Sequence, residues 1–199
     1  MYLIENELYH VYNRGNNQQQ LFFSERDYDL FLNKLRHHIA PCCNVLTWCL
    51  MPNHFHLMIS ANGQSCVNRS SFGGKPMQEF PYRIGMALSS YSQQINKRNK
   101  TTGSLFQQKT KALSVNEAMQ RAQFKGTPLH YITKLMHNHH YNPVKAGLVE
   151  KMEDWPWSSF RECAGWDGRS LGNVPLLMAV TGYTPDTFYE DSYRAVAAW

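Results

Sequence analysis

Leu46-Thr47-Trp48-Cys49-Leu50-Met51-Pro52-Asn53-His54-Phe55-His56-Leu57-Met58-Ile59 is the stretch that most limits what this chain can become. It is almost continuously apolar and broken once, at Met51-Pro52-Asn53, so it reads as two adjacent strands over about 44–50 and 54–60. Alternate side chains of a strand share a face, which puts His54 and His56 on one side while Phe55 and Leu57 point into a core. Two imidazoles side by side on a rigid strand can hold a metal ion.

The flanking segments complete an α+β pattern. Tyr9-His10-Val11-Tyr12-Asn13 is rich in β-formers and ends at Arg14-Gly15-Asn16-Asn17, giving a first strand and a polar loop. Ser24 starts a helix to about Ala40, with Tyr28, Phe31, Leu32 and Leu35 on one face and Pro41 just beyond. The order so far is β-α-β-β. Residues 61–76 carry Gly63, Ser65, Ser70, Ser71, Gly73, Gly74 and Pro76, the composition of a mobile loop. A helix over about 77–97, a basic strand over about 103–115 and a helix over about 128–141, stopped by Asn142-Pro143, follow. Beyond Asp154 come Trp155, Trp157 and Phe160, a Gly-rich link and a short helix over about 185–198. There is no internal repeat. Helices against a mostly antiparallel sheet are expected, with residues 1–162 as the main domain and 163–199 as a short, partly helical extension.

The 199 residues, 43% hydrophobic and 13% aromatic, suffice for one substantial core. Twenty Lys+Arg against fifteen Asp+Glu give +5, which favours a polyanionic partner without naming one. The five cysteines include no CxxC pair, which argues against a disulfide framework and a cysteine zinc site. No stretch approaches the ~18 apolar residues of a membrane span, and Met1-Tyr2-Leu3-Ile4-Glu5-Asn6-Glu7 lacks a basic leader, so a cytoplasmic protein without membrane contact is expected. There is no GxxxxGK[ST] phosphate loop.

A second group of chemically able residues lies at His137-Asn138-His139-His140-Tyr141-Asn142-Pro143, where three histidines, two amides and a tyrosine crowd about one and a half helical turns. At most one of His139 and His140 can approach a metal on the strand pair, since they diverge by ~100° around a helix. Tyr9, Tyr12, Phe106 and Trp155 read as core or interface aromatics. Arg14, Lys97, Arg98, Lys100, Lys109 and Lys111 are each ordinary surface charges, but together they would form a positive groove along a single strand.

Asn53-His54-Phe55-His56, Tyr9-His10-Val11 with Arg14-Gly15-Asn16-Asn17, Gly103-Ser104-Leu105-Phe106-Gln107, Asn142-Pro143-Val144-Lys145-Ala146-Gly147-Leu148-Val149 and Asp154-Trp155-Pro156-Trp157-Ser158-Ser159-Phe160 together resemble the single-tyrosine HUH transposases. Within that group the chain is most similar to the REP-associated tyrosine transposases, over roughly residues 8–162. The resemblance implies a ferredoxin-like HUH domain acting on single-stranded, hairpin-forming DNA, as monomer or homodimer. It also implies transposition chemistry: a tyrosine attacks a phosphodiester, leaving a 5′-phosphotyrosine and a 3′-hydroxyl, and the reverse step rejoins strands without ATP. By the same resemblance His54, His56 and Asn142 hold a divalent ion, Mg²⁺ or Mn²⁺, against the scissile phosphate.

The chain departs from the family at the nucleophile. The tyrosine expected four residues before Asn142 is replaced by Asn138, whose amide cannot form a phosphotyrosine. Three readings follow: a copy that binds DNA without cutting it, Tyr141 as substitute nucleophile, or Tyr131 two turns earlier, ~10 Å along the axis. A histidine-metal hydrolase unrelated to DNA is the remaining alternative.

Overall fold

The computed structural model describes residues 1–70, 76–166 and 169–198. In chain order its elements are β1 (Leu8–Arg14), α1 (Glu25–His38), β2 (Cys43–Met51), β3 (His54–Ala61), α2 (Gly63–Cys66), β4 (Asn68–Ser70), β5 (Pro76–Gln78), α3 (Glu79–Asn99), β6 (Lys111–Ser114), α4 (Val115–Arg121), α5 (Pro128–Lys145), α6 (Phe160–Cys163), α7 (Val174–Thr181) and α8 (Pro185–Ala197).

The apolar run folds back at Met51-Pro52-Asn53, pairing β2 with β3 from Met51 opposite His54 to Cys43 opposite Ala61. On its other edge β3 pairs with β1, Tyr12 opposite His56, and β1 pairs in turn with β6. The sheet order β2-β3-β1-β6, antiparallel throughout, is the ferredoxin-like arrangement, with α1 and α3 as its two crossovers. These helices cover one face, where Val11, Trp48, Phe55 and Leu57 meet Phe31, Leu32 and Leu35 of α1 and Phe80 and Tyr91 of α3. Phe31, Leu32 and Leu35 are fully buried, each worth roughly 1.5–3 kcal/mol before the entropy of ordering is set against it. Leu46 and Met58 from the opposite face join a second cluster with Ile132, Leu135 and Met136 of α5, Leu177 of α7 and Phe188 of α8. The segment beyond residue 162 thus supplies two helices to the layer that carries α5.

The Trp-Pro-Trp-Ser-Ser string explains how α5 is seated. It runs along the open edge of β2: Leu50 N–H donates to the Trp157 carbonyl at 2.8 Å and Ser159 N–H to the Trp48 carbonyl at 2.9 Å. Ser159 Oγ accepts from Trp48 N–H at 3.0 Å and lies 2.8 Å from His140 Nε2 of α5. A sheet edge that would otherwise offer unpaired backbone is covered, and the same serine fixes the rotation of the helix.

Some elements differ from expectation. α5 passes through Asn142-Pro143 and ends at Lys145: Pro143 forgoes one backbone bond near the helix end, and its buried ring packs where the last turn is held. The end is a Schellman motif: Gly147, at φ 68°, donates to Val144, and Leu148 donates to Pro143. That accounts for the Ala-Gly of the sequence string. The basic strand shortens to Lys111–Ser114, and residues upstream meet the sheet at an isolated bridge, Phe106 to Gly15, and where Asn13 Nδ2 donates to the Gln107 carbonyl and Thr110 Oγ1. The expected loop holds α2 and the β4–β5 hairpin, while residues 71–75, including Ser71, Gly73 and Gly74, lie outside the described residues. Among the described residues no helix is long and apolar enough to cross a membrane.

Candidate functional site

The register of the three neighbouring strands decides which side chains meet. On the sheet face that carries α5, β1 presents His10, Tyr12 and Arg14, β3 presents His54 and His56, and β2 presents Thr47. His10 Nε2 lies 2.9 Å from His56 Nδ1, and their rings stack at 5.1 Å. From above, α5 adds His139, its ring 5.0 Å from His10 and 5.3 Å from His56, with Nδ1 2.8 Å from Thr47 Oγ1. One ligand nitrogen from each of His10, His56 and His139 falls within 4.8 Å of the others.

Burial removes the charge from these rings. It lowers the His10 pKa to about 4, and it lowers His56 and His139 well below the usual imidazole value, the neighbouring imidazoles adding to the effect. Each neutral ring has a lone pair to give. His139 Nε2 is buried with no hydrogen-bond partner, a costly arrangement that a cation would relieve. With a metal on Nε2, the His139 Nδ1–H would donate to Thr47 Oγ1 and fix the tautomer. The residues present therefore fit a metal ion.

The residues expected to bind it are distributed differently. His56 is in the cluster. His54 is beside it, ring centroids 4.9 Å apart and edge to face, but its Nδ1–H donates to Asn53 Oδ1 at 2.7 Å, and its ring opens on a recess rather than on His139. Burial, helped by Arg14, lowers His54 to about 4. The third donor brought to the cluster is His139. At ~100° per residue, Asn142 projects between Asn138 and His139, one turn further along α5. It is half-buried. His10 is the candidate ligand that sequence reasoning missed. Its signal was the alternation of β1, which sets His10 and Tyr12 opposite the core residues Tyr9 and Val11; what the sequence did not supply was that β1 lies next to β3.

The other two helix histidines are anchors. His137 Nε2 lies 3.0 Å from the Tyr183 hydroxyl, and His140 Nε2 reaches Ser159. With His139 held by Thr47, α5 is clamped on three sides, so the azimuth of every other residue on it is set. Tyr141 projects about 160° away from His139, and it packs against the second core cluster. Asn138, Asn142 and Tyr131 share one stripe beside His139.

Beside the imidazoles is an open recess of about 240 Å³ lined by Tyr12, Asn13, Arg14, His54, Phe55 and His56. Tyr12, expected to be a core or interface aromatic, is half-buried here, its ring 4.8 Å from His10 and 6.1 Å from His56; Tyr9 and Phe106 are the buried ones. Of the expected DNA-contacting cations, Arg14 lines this recess and Lys111 Nζ lies 5.8 Å from the Tyr12 ring centre. Lys109 lines a groove between α3 and residues 103–110. Lys97 and Arg98 are at the end of α3, in the helix layer on the other side of the sheet, and Arg98 is paired in bidentate fashion with the buried Asp27.

Neither a protein-family model nor a curated protein matches the sequence. Among solved structures, the chain is similar to a REP-associated tyrosine transposase bound to a REP hairpin, with a TM-score of 0.53 over 87% of this chain and 94% of that one, at 16% identity. At that identity the likeness is one of architecture, and it spans both the sheet and the helical layers. The chain has the fold of a REP-associated tyrosine transposase, the branch that its sequence strings resemble.

Proposed function

We propose that this protein is a metal-dependent transposase-type strand transferase of the tyrosine HUH class, acting on single-stranded, hairpin-forming DNA. The observation that carries the reading is the juxtaposition, on this fold, of three neutral imidazoles with a recess containing Arg14, His54 and Tyr12. His10, His56 and His139 would hold the ion, with Asn142 one turn away on α5. The ion supplies Lewis-acid polarisation of a phosphoryl oxygen. Between the two expected ions, an all-nitrogen donor set favours Mn²⁺ over Mg²⁺. Arg14 and Lys111 offset phosphate charge next to it, and the phosphate contacts would make binding salt-sensitive. With DNA as substrate, the expected compartment is the cytoplasm.

A second reading has a specific observation behind it. Asn138 stands where the resembled family has its tyrosine, which favours a protein that binds hairpin DNA and does not cut it. Incubating the purified chain with hairpin-bearing single-stranded DNA and Mn²⁺, then denaturing it, separates the two: a covalent adduct supports strand transfer, and salt-sensitive binding without an adduct supports binding alone. In Asn138→Tyr, the transposase alignment predicts gain of an adduct on residue 138; no gain counts against that alignment.

A further inference from the structure

We propose that Tyr12 is the nucleophile of this chain, attacking the scissile phosphate from the sheet where the resembled enzymes attack from the helix. The proposal rests on the strand-transferase reading and names the residue that carries it out. Four tyrosine or tyrosine-replacing positions are candidates, and the geometry sorts them. Asn138 has no nucleophilic atom. Tyr141 projects about 160° from His139 around α5. Tyr131 shares the stripe of Asn138 but begins ~10 Å further along the axis and does not line the recess. Tyr12 does line it, with Arg14, His54 and His56.

Its position is also fixed by strand pairing. β1 is an inner strand, so Tyr12 is held on both sides, opposite His56 in β3 and opposite Lys111 in β6. The phenol is half-buried yet open to a space of about 240 Å³. Arg14, two residues on and on the same face, and Lys111 put two cations where that phosphate would lie.

In the step, Tyr12 Oη bonds to phosphorus, the P–O3′ bond breaks, and the phenolic proton ends on the departing oxygen, giving a 5′-phosphotyrosine and a 3′-hydroxyl. Attack by a 3′-hydroxyl reverses it. No co-reactant is needed.

The test uses the full chain with Mn²⁺ and a 3′-labelled pool of single-stranded oligonucleotides, each with a fixed hairpin and randomised flanks. Adducts are resolved on a denaturing gel, trimmed with nuclease and mapped by peptide mass spectrometry; hairpin affinity is measured in parallel. The expected result is a nucleotide on the peptide that contains Tyr12, lost in Tyr12→Phe with hairpin affinity retained, and kept in Tyr2→Phe, whose exposed ring is remote from the site. In the same samples, bound oligonucleotide should protect Tyr12 from nitration by tetranitromethane. An adduct mapped to Tyr131, Tyr141 or any other residue overturns the assignment and leaves the strand-transferase reading standing. Salt-sensitive binding with no adduct overturns it in favour of binding alone, and absence of binding overturns both.

Discussion

Lowering the pH from 7.5 to 5.5 should destabilise this protein through two histidines that serve only to seat α5. His137 and His140 are 2% and 0% exposed, each with one ring nitrogen bonded and Nδ1 left without a partner. Burial lowers their pKa values from 6.5 to about 4 and about 3. A depressed folded-state pKa means that the unfolded chain takes up protons first, so the stabilisation is complete above pH 6.5 and is lost as pH falls toward the folded values. At pH 5.5 an unfolded histidine is about ten-to-one protonated while the folded one is neutral, a loss of about 1.4 kcal/mol each and about 3 kcal/mol for the pair. The cluster histidines His10, His56 and His139 shift in the same direction and add to the loss. Urea unfolding in a chelator at both pH values reads the total. His140→Gln, which keeps an N–H donor for Ser159 and cannot titrate, should reduce the pH-dependent loss by about 1.4 kcal/mol. If that variant keeps the full wild-type pH dependence, or if His140 titrates near 6.5 by NMR, the buried-clamp account is wrong.

Mn²⁺ at a hundred times its dissociation constant should stabilise the fold by about 2.7 kcal/mol, read as a rise in Tm that His10→Ala and His139→Ala both lose; an unmoved wild-type Tm would remove the metal site. Arg14→Ala should lower the slope of log affinity against log salt for hairpin DNA by about 1. Arg98→Ala should leave that slope alone and instead destabilise the fold by about 2 kcal/mol by stranding the buried Asp27 carboxylate, a figure reduced because Arg98 itself is partly exposed. Ser159→Ala removes the acceptor for Trp48 N–H and the partner of His140, a loss of about 1–3 kcal/mol measurable by urea unfolding.

The sheet was legible because its signals are local. Strand alternation around Phe55 and Leu57, the break at Met51-Pro52-Asn53 and the apolar face of Tyr28, Phe31, Leu32 and Leu35 each dictate an element without reference to the rest of the chain. The helix α7 was not legible for the opposite reason: Val174-Pro175-Leu176-Leu177-Met178-Ala179-Val180-Thr181 is apolar nearly all round, so no 3.6-residue periodicity marks it. For α4 a signal was present and passed over, the capping box of Ser114 and Glu117.

The site divides along the same line. His56 follows from alternation within one strand, and a single late-helix histidine reaching the pair follows from helical angles. His10 and Tyr12 depend on strand order, which residue patterns do not fix: the same alternation in β1 would have meant nothing functional had that strand lain at the far edge. Once β1 sits between β3 and β6, however, His10 joins the imidazole group and Tyr12 and Arg14 line the recess beside it. On the proposed reading, the ligand set and the nucleophile lean on β1 more than the late-helix motif implied. With Asn138 where the resembled enzymes carry tyrosine, α5 still brings His139 onto His10 and His56, and the proposed nucleophile is carried by the sheet.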